Sequence, residues 1–147
     1  MIVSTKYLKR VYDLQEAAKA GQHALVIGIE GELWESLKPI FSLPENLQPE
    51  AEVMEIVGLV ARVLRDTKQF CLAARWFEQL CRLALQLDPD SEDTGWDHCL
   101  LSECYVETGQ RVKAEDALGK ARRIAATVNC QDDALERAVR HLEARLT

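Results

Sequence analysis

The sequence predicts an all-α chain of about seven helices, and three observations predict it. Ala and Leu are abundant, whereas Gly (7 residues), Pro (4) and aromatics (6%) are too sparse for a turn-rich β fold. Apolar residues recur at three- and four-residue intervals along most of the chain, and no stretch shows sustained strand alternation. Gly21, Pro44, Asp88-Pro89 and Gly109 punctuate the periodic stretches and mark helix ends.

The first helix is expected over about residues 5–20, with Leu8, Val11 or Tyr12, Gln15 and Ala18 on one face and Gly21 as its stop. A second follows over 22–40, weakened by Gly28 and Gly31. Ser42 to Pro49 is a linker, since its two prolines cannot donate to a helical ladder, and Pro49 is suited to open the next helix. That third helix, 49–65, carries Val53, Ile56 or Val57, Val60 and Leu64. Asp66 to Gln69 turns the chain into a fourth, 70–87, whose stripe is Phe70, Ala73, Ala74, Phe77, Leu80, Cys81, Ala84 and Leu87. Asp88-Pro89 ends it, and a short acidic connection leads to a fifth helix over 95–108, stopped by Gly109, a residue suited to a left-handed cap. The sixth spans 111–127. The seventh, 131–146, buries Leu135, Ala138 or Val139, Leu142 and Leu146, and its Asp133–Arg137 and Glu136–Arg140 pairs have the favourable acid-to-base order.

A chain of 147 residues is one domain on the usual length prior. Its net charge of −6 disfavours nucleic acid, which selects a basic face. No run is long and apolar enough for a membrane span, and the N-terminal residues lack the apolar core of a signal peptide. The cysteines Cys71, Cys81, Cys99, Cys104 and Cys130 are odd in number and show no CxxC spacing, so free thiols in a reducing cytoplasm are expected.

Helix pairs in series call for a repeat, because one pair cannot bury its apolar face alone. One copy is His98-x2-Leu101-Ser102-x2-Tyr105, the turn at Gly109, then Ala114-x3-Leu118 and Ala121; another is Val57-x2-Val60-Ala61-x2-Leu64, a turn around Lys68, then Ala73-x3-Phe77. This pattern resembles the tetratricopeptide repeat. The resemblance implies right-handed helical hairpins, with Ser102 and Ala114 at the closest approach of paired helices and Tyr105 between neighbouring repeats. The copies are 41 residues apart, against a family repeat of about 34. Residues 50–127 hold the two repeats, 5–41 a degenerate hairpin or N-terminal cap, and 131–146 a capping helix. Leu101 to Tyr105, Gly109 and Lys113 to Leu118, with a closing helix, are also similar to the C-terminal half of class II type III secretion chaperones. That likeness implies a groove for an unfolded translocator segment.

No enzyme is expected. His23, His98 and His141 are scattered with no nucleophile at a fixed spacing, Cys99 and Cys104 miss the i,i+3 and i,i+4 spacings of a helical metal site, and no phosphate-binding glycine loop occurs. Surface histidines and structural cysteines are the plain alternative, with no cofactor and no metal. A carboxylate clamp for acidic tails is disfavoured too, because the fifth helix presents Trp96, Cys99, Leu100, Glu103, Val106 and Glu107, an apolar and acidic set. The same residues suit a groove for an apolar helix or extended segment of a partner protein, with Arg62 and Arg65 reaching its carbonyls. Two readings stand for Leu100 and Val106, a groove or packing against the seventh helix. Two stand for Trp76, which falls off the fourth helix's stripe: an exposed anchor or a side chain packed under the adjacent repeat. The bases Arg111, Lys113, Lys120, Arg122 and Arg123 are expected on a solvated face. The chain thus reads as a protein-binding module, in its sharpest version a secretion chaperone; the alternative is a structural or regulatory subunit that self-associates, as a homodimer, through its N-terminal helices.

Overall fold

Three turns of the same geometry organise the chain. The computed structural model describes residues 2–43, 51–128 and 132–147. They form α1 (Ile2–Lys19), α2 (His23–Phe41), α3 (Ala51–Asp66), α4 (Phe70–Leu87), α5 (Glu92–Glu107), α6 (Arg111–Thr127) and α7 (Ala134–Leu146), with no strand among the described residues. The pairs α1–α2, α3–α4 and α5–α6 are joined by Ala20-Gly21-Gln22, Thr67-Lys68-Gln69 and Thr108-Gly109-Gln110. The middle residue of each link is left-handed, with φ of 70°, 63° and 74°. Its N–H donates three residues back, and the glutamine N–H donates five back, to Ala17, Leu64 and Tyr105 at 2.9, 2.8 and 2.8 Å. These doubled bonds satisfy carbonyls the helix end leaves free and reverse the chain. Two turns use glycine, which adopts this conformation without strain; Lys68 adopts it at a cost of about 1 kcal/mol.

Counted from the turn glutamines, the three hairpins share one burial register. Four, seven, eight and eleven residues on, the first buries Val26, Ile29, Glu30 and Leu33; the second Ala73, Trp76, Phe77 and Leu80; the third Ala114, Ala117, Leu118 and Ala121. Five and eight residues before them lie Ala17 and Leu14, Leu64 and Ala61, Tyr105 and Ser102, all buried. Spacing of three and four gives each helix one core stripe. Ser102 Oγ donates to the Ala114 carbonyl at 2.8 Å, so the α5–α6 seam is close at those two residues. Beyond the pairs, α3 packs on α1 and α4 on α5, while α7 lies against both α5 and α6.

α4 and α6 match the expected bounds. α5 instead starts three residues early. Ser91 caps it by accepting from the Thr94 N–H at 3.1 Å, and Glu92 and Asp93 complement the helix dipole. Gly95 therefore lies inside a helix rather than opening one, and a Cβ there would come within 2.7 Å of Leu135 and 2.9 Å of Ile124. The seventh helix begins at Ala134, and the expected opening at Gln131 lies outside the described residues, as do Pro44 to Pro49 of the linker. The seventh helix's ion pairs form at 3.2 Å (Asp133–Arg137) and 2.5 Å (Glu136–Arg140).

Trp76 is not an exposed anchor. It is fully buried, its indole N–H donates to Glu30 at 2.7 Å, and it meets Trp34 and Phe41 edge-on. α4 buries a wider face than its expected stripe. α4 packs against α3 and α5 and also reaches α2 through this aromatic cluster, so Trp76 and Leu83 are buried outside that stripe.

Candidate partner-binding face

Two ion pairs bridge α3 and α5, and they differ in quality. Arg65 and Glu103, both half-buried, form a two-pronged pair in which Nε and Nη2 donate to the carboxylate at 2.7 and 3.2 Å. Arg62 Nη2 stands 3.8 Å from Asp97 Oδ1, beyond hydrogen-bond range, although the Asp97 side chain is only 8% exposed. One rung is satisfied and the other is loose.

α7 lies across the same face. Its Ala138, His141, Leu142 and Arg145, with Arg65, Trp96, Cys99, Leu100 and Glu103, enclose a cavity of about 320 Å³. Trp96 and Leu100 are half-buried there, Cys99 is buried, and Arg145 closes one edge by pairing with Glu107 at 2.6 Å. Leu100 lines this cavity together with Ala138, His141, Leu142 and Arg145 of α7. Val106 is half-buried against the core and does not line this cavity. Arg65 is held by Glu103, while Arg62 lies in the neighbouring cleft.

Burial governs the titratable groups. It pushes the Cys99 thiol up to about 11 and the Cys104 thiol to about 12, so both remain protonated at neutral pH, Cys99 as an apolar wall of the cavity and Cys104 within the core. His98, expected at the surface, is buried instead. Its Nδ1 meets the Thr94 carbonyl at 2.9 Å, and burial holds its pKa below the usual imidazole value. His23 and His141 are exposed. Among the described residues, no three His, Cys, Asp or Glu side chains gather closely enough to hold a metal ion. The bases of α6 lie on an exposed face, where Arg111–Glu115, Lys120–Asp116 and Arg122–Glu143 pair.

Five of the residues singled out by sequence, Arg65, Trp96, Cys99, Leu100 and Glu103, converge on one cavity. Arg62 opens the adjacent cleft, and Val106 and Trp76 lie elsewhere. The sequence left open whether the seventh helix covers Leu100, and it gave no sign of Asp97. Leu142 already stood on the seventh helix's apolar stripe, but no local pattern says which neighbour that stripe covers. Asp97 follows Trp96 as an ordinary polar residue, and only the fold buries it.

No helix among the described residues is long and apolar enough to cross a membrane. No family model, curated protein or solved structure matches this chain.

Proposed function

We propose that this chain is a protein-binding module of the tetratricopeptide type, whose right-handed hairpins hold an apolar helix or extended segment of a partner in a concave groove formed by α3, α5 and α7. The cavity walled by Trp96, Leu100 and Leu142 carries the proposal. Its rim charges, Arg65–Glu103 and Arg145–Glu107, are already paired with each other, so a partner side chain entering it gains apolar burial rather than a salt bridge. The role is binding, not catalysis, with no cofactor. In its sharpest form it is that of a cytoplasmic secretion chaperone, which keeps an apolar segment of its client covered.

A pair of adjacent substitutions tests this. Leu100→Glu places a charge in the cavity and abolishes capture of the partner recovered with the wild-type chain, while the fold survives because Leu100 is half-exposed. Leu101→Glu buries an unpaired charge and unfolds the hairpin. Equal destabilisation by both, or unchanged capture by a folded Leu100→Glu chain, sinks the proposal.

One observation favours a second role, as a self-associating subunit of a larger assembly. Leu8 and Tyr12 on α1, and Leu25 and Ile27 on α2, are large exposed apolar side chains on the N-terminal hairpin. A concentration-dependent dimer in sedimentation, lost in Tyr12→Glu, supports that role; a monomer at all concentrations removes it.

A further inference from the structure

Beside the apolar cavity, at the loose rung between α3 and α5, lies a second cleft of about 350 Å³. Met54, Leu59 and Leu80 form its apolar walls, and Asp97 reaches it from α5. The Asp97 side chain is only 8% exposed and has no hydrogen bond among the described residues, and the exposure it keeps lies at its oxygens, which open to the cleft. Its one ion-pair contact is Arg62 at 3.8 Å, and the Arg62 side chain is itself 53% exposed. A buried charge needs close, hydrogen-bonding partners. Glu103, on the same helix and closer to the surface, has two bonds from Arg65. Asp97 is buried more deeply and has none.

We propose that this cleft receives an arginine side chain of the partner segment, whose guanidinium completes the hydrogen bonds of Asp97. The inference rests on the groove reading above and adds a chemical requirement to it. Asp93 and Glu55 line the mouth of the cleft and are exposed, so the entrance carries negative charge beyond what Arg62 offsets. A guanidinium fits better than an ammonium. It is planar, weakly hydrated and donates in a fork, while its stem lies along Met54 and Leu59. The chain does not carry such a group in the segment leading into α3, because residues 44–50 contain no lysine or arginine. Burial, opposed by Arg62 and reinforced by Asp93, raises Asp97 to about 7, so the carboxylate accepts a cation readily at pH 8 and poorly at pH 6.

The full chain, isotope-labelled for NMR, is titrated with acetyl-Leu-Arg-Leu-Leu-amide and with the same peptide carrying citrulline, the uncharged isostere of arginine. Both peptides should perturb the amides around Trp96 and Leu100. The arginine peptide alone should also move Gly58 to Arg62 and Asp93 to Asp97, and bind at least about tenfold tighter at pH 8. Asp97→Asn, with its helical content checked by circular dichroism, should erase that preference and its pH dependence. Arg62→Gln should enlarge the preference, because it removes the resident competitor. Equal affinity for the two peptides, or a preference that survives Asp97→Asn, overturns the arginine site and leaves the apolar groove standing. Binding of neither peptide at millimolar concentration overturns both.

Discussion

Eight residues past its turn glutamine the first hairpin carries Glu30, where the second carries Phe77 and the third Leu118, and all three are buried. In the second and third hairpins an apolar side chain fills that position. In the first, a carboxylate does, held by donations from Arg75 Nε and Nη2 at 3.2 and 2.6 Å and from the Trp76 indole at 2.7 Å. Arg75 also lies over the Trp34 ring at 4.1 Å. The turn and the register are the same, so backbone geometry does not depend on what fills the position. What changes is the kind of join. The apolar position tolerates any well-shaped hydrophobe, whereas Glu30 requires particular donors on α4 and so specifies which helix α2 must meet.

Substitutions at equivalent register positions test this contrast. The largest loss is expected at the apolar position: Phe77→Ala should cost about 3–5 kcal/mol in a urea melt, and a loss below about 1 kcal/mol would place the ring outside the core. Glu30→Ala should cost about 2–4 kcal/mol, because it strands the buried indole N–H and leaves Arg75 without its partner. If the polar join is a matter of specificity, Glu30→Leu combined with Trp76→Phe should recover most of that loss in the same melt, making the first hairpin like the third. Failure to recover would mean that the carboxylate contributes stability no hydrophobe can replace. Gly95→Ala should cost about 1–3 kcal/mol, since its Cβ meets Leu135 and Ile124 and neither has room to move far. The smallest effect lies in the turns. Lys68→Gly should stabilise by about 0.5–1 kcal/mol at its φ of 63°, while Gly109→Ala should destabilise by about 1 kcal/mol. Equal responses at both turns would show that their shared geometry does not carry a shared strain.

Ser102 and Ala114 made the third hairpin legible, because small residues opposite each other on two periodic helices let the backbones approach closely, which larger side chains would prevent. The first hairpin was harder to read for the converse reason. With Asp13 where the other copies have Leu101 and Val60, and Glu30 where they have Leu118 and Phe77, it violates the pattern at two positions. Its turn, Ala20-Gly21-Gln22, was the better signal, since the glycine and the glutamine recur in Thr108-Gly109-Gln110. For the candidate face, helical periodicity placed Trp96, Cys99, Leu100 and Glu103 on one side of α5, but it could not decide between an open groove and cover by α7. The early start of α5 was encoded in Ser91 followed by Glu92 and Asp93; Gly95 drew attention instead, although a glycine in that setting marks close packing rather than a helix start.

Apart from α1, where Leu8 is exposed and Leu14 and Ala17 are buried against expectation, and α4, whose buried face is wider than its expected stripe, the sequence by itself determined the helices, their stops and the inward side of those for which it drew one. Those properties depend on residues three and four apart and on the backbone freedom of single turn residues, so they are local. Only the tertiary structure decided that Trp76 is interior, that α7 closes the cavity beside Leu100, and that Asp97 is buried beside an arginine too distant to bond it. Each of these depends on which helices become neighbours. Burial raises the energetic stakes of a polar group from near nothing at the surface to several kcal/mol inside, so an aspartate ordinary in the sequence becomes the most unusual carboxylate on this face once α3 and α4 pack around it.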